Sequence, residues 1–380
     1  MELSPVLALT HHFAHLEDPR VERTRLHKLL DILIIAICAV IAGAESWDDI
    51  ALFGETKYAW FATFLDLPNG IPSHDTFNRV FAALDPDQFR AGFASWVQAV
   101  LPACPAQVIA LDGKTVRGSQ DRYRGKAAIH MVSAWASASR LVLAQVKVED
   151  KSNEITALPE LLRQLAIQGS VVTIDAMGCQ REIAEQIVAQ EADYVLALKA
   201  NQPDLLEEVR DCFTQAEADA YHEVCHQAAE TINKGHGRLE IRRLTVLTEP
   251  EYLTWLQTEQ HWPGLRALGR VEAERCIGEE RTRETRYYLL SRAMSAATFG
   301  EAVRSHWGIE NAVHWVLDVT FGEDHSRMRA GHAAENMAVL RHLVRNLLER
   351  EQSQPGRSLK GKRLKAGWDN DYLLKILTCI

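Results

Sequence analysis

The order of apolar and polar positions changes character twice along the chain. Residues 1 to about 100 repeat with a helical period. His27 to Ala44 is apolar nearly all round and predicts a buried core helix, Trp47 to Phe64 is more amphipathic, and Gly70-Ile-Pro-Ser breaks the pattern before a helix from His74 to Leu84. Ser73 is placed to cap that last helix, whose first turns expose His74, Asp75, Thr76, Asn78 and Arg79. A tight turn into a helix with polar residues at its start is how a helix-turn-helix offers its reading helix to a DNA groove, and also how an ordinary surface helix begins. Pro102 to Pro105 reads as a short linker.

From Ala106 the pattern becomes one of strands. Gln107 to Asp112 is a short apolar run, and Ile129 to Ala136 and Leu141 to Val148 follow with short connections, which predicts an antiparallel meander. A helix (Glu154 to Ile167), a buried strand (Val171 to Asp175), a helix (Arg181 to Gln190) and a strand (Tyr194 to Leu198) then alternate, the rhythm of parallel pairing through helical crossovers. Asp112 and Asp175 both end apolar runs. An acid there is either a cap for the next turn or a group at the sheet edge where open α/β folds collect ligands.

Pro203 to about Arg286 breaks the alternation. A charged helix (Pro203 to Ala218) precedes two alternating stretches, Arg238 to Leu247 and Leu265 to Cys276, read as antiparallel strands of an inserted subdomain. Tyr287-Tyr-Leu-Leu-Ser returns to the core. In the stretch Ser305 to Asp324, Ile309, Val313, Val316 and Thr320 form an apolar helical stripe, Glu310 lies one step round from it, and His306 and His314 lie one turn either side of that acid. Trp315 reads as a core residue. A helix from Ala333 to Glu351 leads to a basic end carrying Arg357, Lys360, Lys362, Arg363 and Lys365, which either hold phosphates or form a solvated segment.

Composition narrows the classes. The net charge of −9 excludes a uniformly basic nucleic-acid coat, so contact with a polyanion has to come from local patches. Residues 301–380 carry 12 Lys and Arg against 10 Asp and Glu, whereas the first 300 carry 30 against 41. Seven scattered cysteines, none in a CxxC pair, speak against a disulfide framework or a zinc ribbon, and point to a reducing cytoplasm. The longest apolar run, Ile32 to Ala44, is 13 residues and too short to span a bilayer, so no membrane partner is expected.

Asp112, Asp175 and Glu310 are 63 and 135 residues apart, so only a fold unites them. United, three hard oxygen donors suit Mg2+ or Mn2+ completed by water and phosphate oxygens. Two such ions roughly 4 Å apart would stabilise the attacking and leaving oxygens of an in-line phosphoryl transfer. Basic residues next to the acids, notably Lys114, Arg117 and Lys199, would hold the substrate backbone.

The chain resembles bacterial insertion-sequence transposases of the DDE type, most closely the H-repeat-associated group. The stretches that carry the likeness are DPR (18–20), LLDILIIAICAVIAGAESWDDIA (29–51), NGIPSHDTFNRVF (69–81), ALDGKTVRGS (110–119), KSNEI (151–155), TIDAMGCQ (173–180), YVLALKANQ (194–202), and HWGIEN followed by HWVLDVTFGEDHSRMRAGHAAEN. They span nearly the whole length in one order. The resemblance implies a ribonuclease-H-like catalytic core, a mixed α/β sheet with flanking helices, in two parts (106–202 and 287–350). It also implies an N-terminal helical DNA-end-binding region (1–100), a β-rich insertion (203–286) before the last catalytic helix and a basic C-terminal tail (351–380). It implies Asp112, Asp175 and Glu310 as catalytic triad and metal ligands, with two Mg2+ or Mn2+ ions. The partners it implies are the terminal inverted repeats of the element and target DNA, bound by a homodimer in the synaptic complex, for 3′-end cleavage and strand transfer.

One departure stands out. Related transposases often frame the glutamate as Tyr-x2-Arg-x3-Glu-x6-Lys, whereas these places hold Val303, His306, Glu310 and Leu317. The phosphate contact of the arginine would pass to Arg304 or His306, and Trp307 is placed to stack on an unpaired base. Three other readings stay open: a zinc or iron site from His306, Glu310 and His314, a catalytically silent DNA-binding descendant of a transposase, and a ribonuclease-H-like nuclease. The further acids Asp318, Glu323 and Asp324 compete with Glu310 for its assignment.

Overall fold

The computed structural model describes residues 9–101, 107–121, 123–149, 152–222, 224–235 and 237–378; the linker expected at Pro102 to Pro105 and the basic Arg122 lie outside these. Four longer helices come first, α1 (Leu29–Ala42), α2 (Trp47–Thr56), α3 (His74–Ala83) and α4 (Pro86–Val100), with a single helical turn (Tyr58–Phe61) between α2 and α3. Helix α1 is buried on nearly every side, as its all-round apolar pattern requires. The Ser73 hydroxyl accepts from the Thr76 N–H, so the expected cap of α3 is present.

Strands β1 (Val108–Val116), β2 (Ile129–Ala136) and β3 (Leu141–Lys147) form the antiparallel meander, followed by α5 (Glu154–Arg163), β4 (Val171–Ile174), α6 (Arg181–Ala189) and β5 (Asp193–Leu198), with β4 parallel to both β1 and β5. Helix α7 (Pro203–Ala218) leads to β6 (His226–Gly235), β7 (Arg238–Leu247), α8 (Pro250–Thr258), β8 (Ala267–Ile277) and β9 (Glu280–Leu290). These later strands continue the same sheet, because β9 pairs antiparallel with β5, and the order among the described residues is β3-β2-β1-β4-β5-β9-β8-β7-β6.

Helix α9 (Ala296–His306) crosses the sheet and runs through a π-helical turn (Glu310–His314) into α10 (Trp315–Val319). Helix α11 (Ala333–Arg350) is the spine. The Asn336 amide donates to the carbonyls of Phe81 and Leu84, Asn346 pairs with both the N–H and C=O of Val142 on β3, and Arg345 Nε donates to the Ala312 carbonyl inside the π turn. One buried helix thus ties the N-terminal helices, the sheet and the Glu310 segment together. Helices α12 (Leu359–Trp368) and α13 (Asn370–Leu377) close the same core.

Alternation along β1 divides the sheet between two cores: Ala110 packs with α1 to α4 and α10 to α13, and Ile109 and Leu111 pack on the opposite face with α5 to α8. Among the described residues no single helix is long and apolar enough to cross a membrane.

Two expectations are corrected here. Strand β1 does not stop at Asp112 but runs on to Val116, because β2 pairs with it residue by residue to Ile129. Part of the basic C-terminal segment is packed in a helix: Lys362 Nζ donates to the Leu348 carbonyl at 2.7 Å, and the buried Arg363 donates to the Val40 carbonyl at 3.0 Å and stacks on Phe321, whereas Arg357 and Lys360 are exposed.

Candidate active site

Asp112 and Asp175 come together because β1 and β4 are parallel neighbours with Leu111 opposite Ile174, which leaves the two acids one step further along adjacent strands. Asp112 shares its sheet face with Ala110, the face on which α9 and the π turn lie. Asp175 follows the last residue of β4, and its carboxylate accepts from the Met177 N–H at 3.1 Å, so it also caps the turn that follows. A π turn repositions a side chain relative to a regular helix, and here it carries Glu310 at its first residue and His314 at its last. Gly308 permits the close approach of this segment, since a Cβ there would lie 2.6 Å from the Trp135 ring.

The three acids line one cleft of about 170 Å³, with Thr173, Lys199, Arg286, His306 and Trp307 in its walls. Glu310 Oε2 lies 3.0 Å from His314 Nδ1, which is 3.6 Å from Asp112 Oδ2. Burial pushes the Asp112 carboxyl up to about 7, with the nearby charges of Asp175, Glu154 and Glu310 adding to the rise. Burial, then Glu154, likewise raises Asp175, against a smaller opposing effect of Lys199. Burial and the neighbouring negative charges thus disfavour ionisation of the two aspartates. The oxygen donor set of the three acids fits Mg2+ or Mn2+, and among the described residues Asp112, Glu310 and His314 form the group whose ligand atoms lie within 4.8 Å of one another, with Asp175 outside it.

The remaining expected residues divide. Lys199 is exposed at the cleft, Arg304 and Trp307 line an adjoining groove, and Arg79 is exposed with Asn78 half-buried on α3. Arg117 is 81% exposed. His306 is turned inward, its Nδ1 3.2 Å from Thr173 Oγ1, and burial lowers its pKa to about 4.

Lys114 does not face solvent. Two residues beyond Asp112 on the same strand face, it is buried behind the cleft with Nζ 2.7 Å from Asp318, 3.1 Å from Glu323 and 3.5 Å from Asp324. Those ion pairs also account for the competing acids, and Arg341 adds a second buried partner to Glu323 at 3.5 Å. Trp315, expected in the core, is 55% exposed, because the π turn shifts the helix face.

Further residues complete the site. His314, weighed in the sequence as a zinc or iron ligand together with His306 and Glu310, bridges Glu310 and Asp112, whereas His306 faces Thr173 instead. Glu154, at the start of α5, bonds His130 Nε2 at 2.6 Å, and that ring in turn bonds Thr115 Oγ1 at 2.9 Å. Its only signal was its place in the KSNEI stretch. Arg286 stacks over Trp307 at 4.8 Å and joins Tyr288 in the wall. A groove of about 760 Å³ continues from the cleft along β6 to β9, lined by Arg238, Arg242, Arg275 and Arg304 as well as Glu230, Glu240 and Glu301.

Comparisons with known proteins give the family of the chain that carries this acid-lined cleft. Residues 103–347 match the family described as Transposase DDE domain, and residues 10–97 match the one described as DDE_Tnp_1-associated. The chain belongs to the DDE transposase family. Among individual relatives, it is 40% identical over 97% of both chains to "H repeat-associated putative transposase YhhI" of Escherichia coli. It is 39% identical to "Putative transposase YncI" of another Escherichia coli strain, over 98% of this chain and 95% of that protein. A shorter Escherichia coli relative, "Inactive transposase YbfQ", is 49% identical over 19% of this chain and 86% of its own length.

Proposed function

We propose that this protein cuts the 3′ ends of its own insertion sequence and joins them to target DNA, using Mg2+ or Mn2+ held by Asp112, Asp175 and Glu310. The single observation that carries the reading is the meeting of these three acids, 63 and 135 residues apart in sequence, in one cleft. The strand order β3-β2-β1-β4-β5, with its antiparallel meander and two parallel strands, supports a ribonuclease-H-like core at 106–202 and 287–350. The strands of 203–286 then extend that sheet as the insertion, and residues 1–100 serve as the DNA-end-binding region.

When bound, the cations supply Lewis-acid polarisation of the scissile phosphate and stabilise charge on the attacking and leaving oxygens. The chain does the rest by placement. Asp112 is held by the Gly113 N–H at 2.9 Å and Asp175 by its own turn, so both carboxylates are oriented beforehand. Lys199 at the rim pairs with a phosphate oxygen, and Trp307, supported by Arg286, offers a stacking face beside the cleft. The arginine-lined groove carries the flanking DNA past Arg304, while Arg117 and the α3 residues Asn78 and Arg79 contact it elsewhere. The protein works in the cytoplasm as a homodimer that pairs two element ends.

The name "Inactive transposase YbfQ" of one relative keeps a second reading in play, a silent end-binding protein. Purified protein with Mg2+ is expected to nick an oligonucleotide carrying the inverted repeat that flanks its gene. Asp112→Asn, Asp175→Asn and Glu310→Gln each abolish nicking and leave DNA binding in place. Binding without nicking by the unaltered chain establishes the silent reading, nicking indifferent to the repeat establishes a general nuclease, and normal nicking by any of the three variants removes that acid from the site.

A further inference from the structure

His306 and His314 flank Glu310 by one turn on either side, yet the structure treats them differently. His306 Nδ1 is engaged by Thr173. His314 is 4% exposed, and its Nδ1 lies 3.0 Å from Glu310 Oε2 and 3.6 Å from Asp112 Oδ2. A nitrogen donor therefore stands between two of the three acids, within 4.8 Å of an oxygen of each. Residues 310 and 314 are the first and last of the π turn, four apart and so on one side of it, and Arg345 holds its middle through the Ala312 carbonyl.

Resting on the metal-dependent reading above, we propose that His314 is itself a ligand, so that one cation is bound by Asp112, Glu310 and His314 Nδ1 in a mixed oxygen and nitrogen set. As a ligand the neutral ring would present the Nδ1 lone pair to the cation and carry its proton on Nε2, which is buried on the far side of the ring. An imidazole donor tilts the site from Mg2+ toward Mn2+, because softer first-row ions take nitrogen more readily than Mg2+ does.

The test is the nitrogen coupling in pulsed electron paramagnetic resonance of Mn2+ titrated into the full-length protein. The expected result is histidine nitrogen coupling in the unaltered chain, retained in His306→Gln and lost in His314→Gln. Uniform nitrogen-15 labelling of histidine alone must change the modulation frequency, which tests for a histidine ligand without any substitution and so does not depend on whether His314→Gln folds. Mn2+ bound without histidine coupling, or coupling lost in His306→Gln instead, overturns this proposal and leaves the carboxylate site standing. No Mn2+ binding by the unaltered chain overturns both this proposal and the metal-dependent reading beneath it.

Discussion

The carboxylate of Glu154 occupies the space that a side chain at residue 113 would fill: a Cβ on Gly113 would lie 2.2 Å from Glu154 Oε1. A glycine inside a strand often marks such an approach. It seats a fourth acid beside Asp112, where its charge helps to raise both aspartates. The same Cβ would lie 2.4 Å from His130 Nε2, so the hydrogen-bonded pair gives way together.

Gly113→Ala is therefore expected to destabilise the fold by about 1–3 kcal/mol through overpacking. Glu154→Ala in the same chain should recover part of that loss, giving a coupling energy of at least ~0.5 kcal/mol in a double-mutant cycle followed by urea unfolding. Strict additivity of the two substitutions would show that Glu154 does not fill the notch.

Lys114 and Lys199 carry the same charge and should behave oppositely. Lys114→Met leaves Glu323, 1% exposed, and Asp318 short of a counter-charge, and is expected to cost about 3–5 kcal/mol of stability. Lys199→Met, at an exposed position, should change stability by less than about 0.5 kcal/mol. It should weaken DNA binding and lower the salt slope by about one. A stable Lys114→Met protein with a reduced salt slope would return Lys114 to the DNA.

Asp31, in the first turn of α1, is 7% exposed, and its Oδ2 is buried without a hydrogen-bond partner. Burial pushes its carboxyl up to about 6, Lys28 opposing and Asp66 adding to the rise. A folded-state pKa above the unfolded value means that the stability linked to this proton is complete below about pH 4 and lost as pH rises through about 6. Asp31→Asn should then stabilise the protein at pH 7.5, by up to ~3 kcal/mol, and lose that advantage near pH 4. Thermal melts across this range decide it, and an advantage that persists unchanged at pH 4 would place its origin elsewhere.

The sequence by itself determined the elements whose apolar positions carry a clear period. Helix α7 runs over Pro203–Ala218 and β7 over Arg238–Leu247, both as expected, and Asp112, Asp175 and Glu310 were already legible as acids set against apolar patterns. Strand β6 was not legible, because it is an edge strand exposed along most of its length and its residues show no alternation. Only the tertiary structure decided which charges face water. Lys114 and Lys199 are indistinguishable as letters, and the difference between them is the acids that other elements bring to the first, Asp318, Glu323 and Asp324, from about 200 residues away. The same holds for His314 and Trp315, adjacent in the chain, where a single π turn puts one ring between two carboxylates and leaves the other in solvent. Periodicity is a local property and can be read locally, whereas burial, pairing and the partner of each charge are set by contacts between segments far apart in the chain.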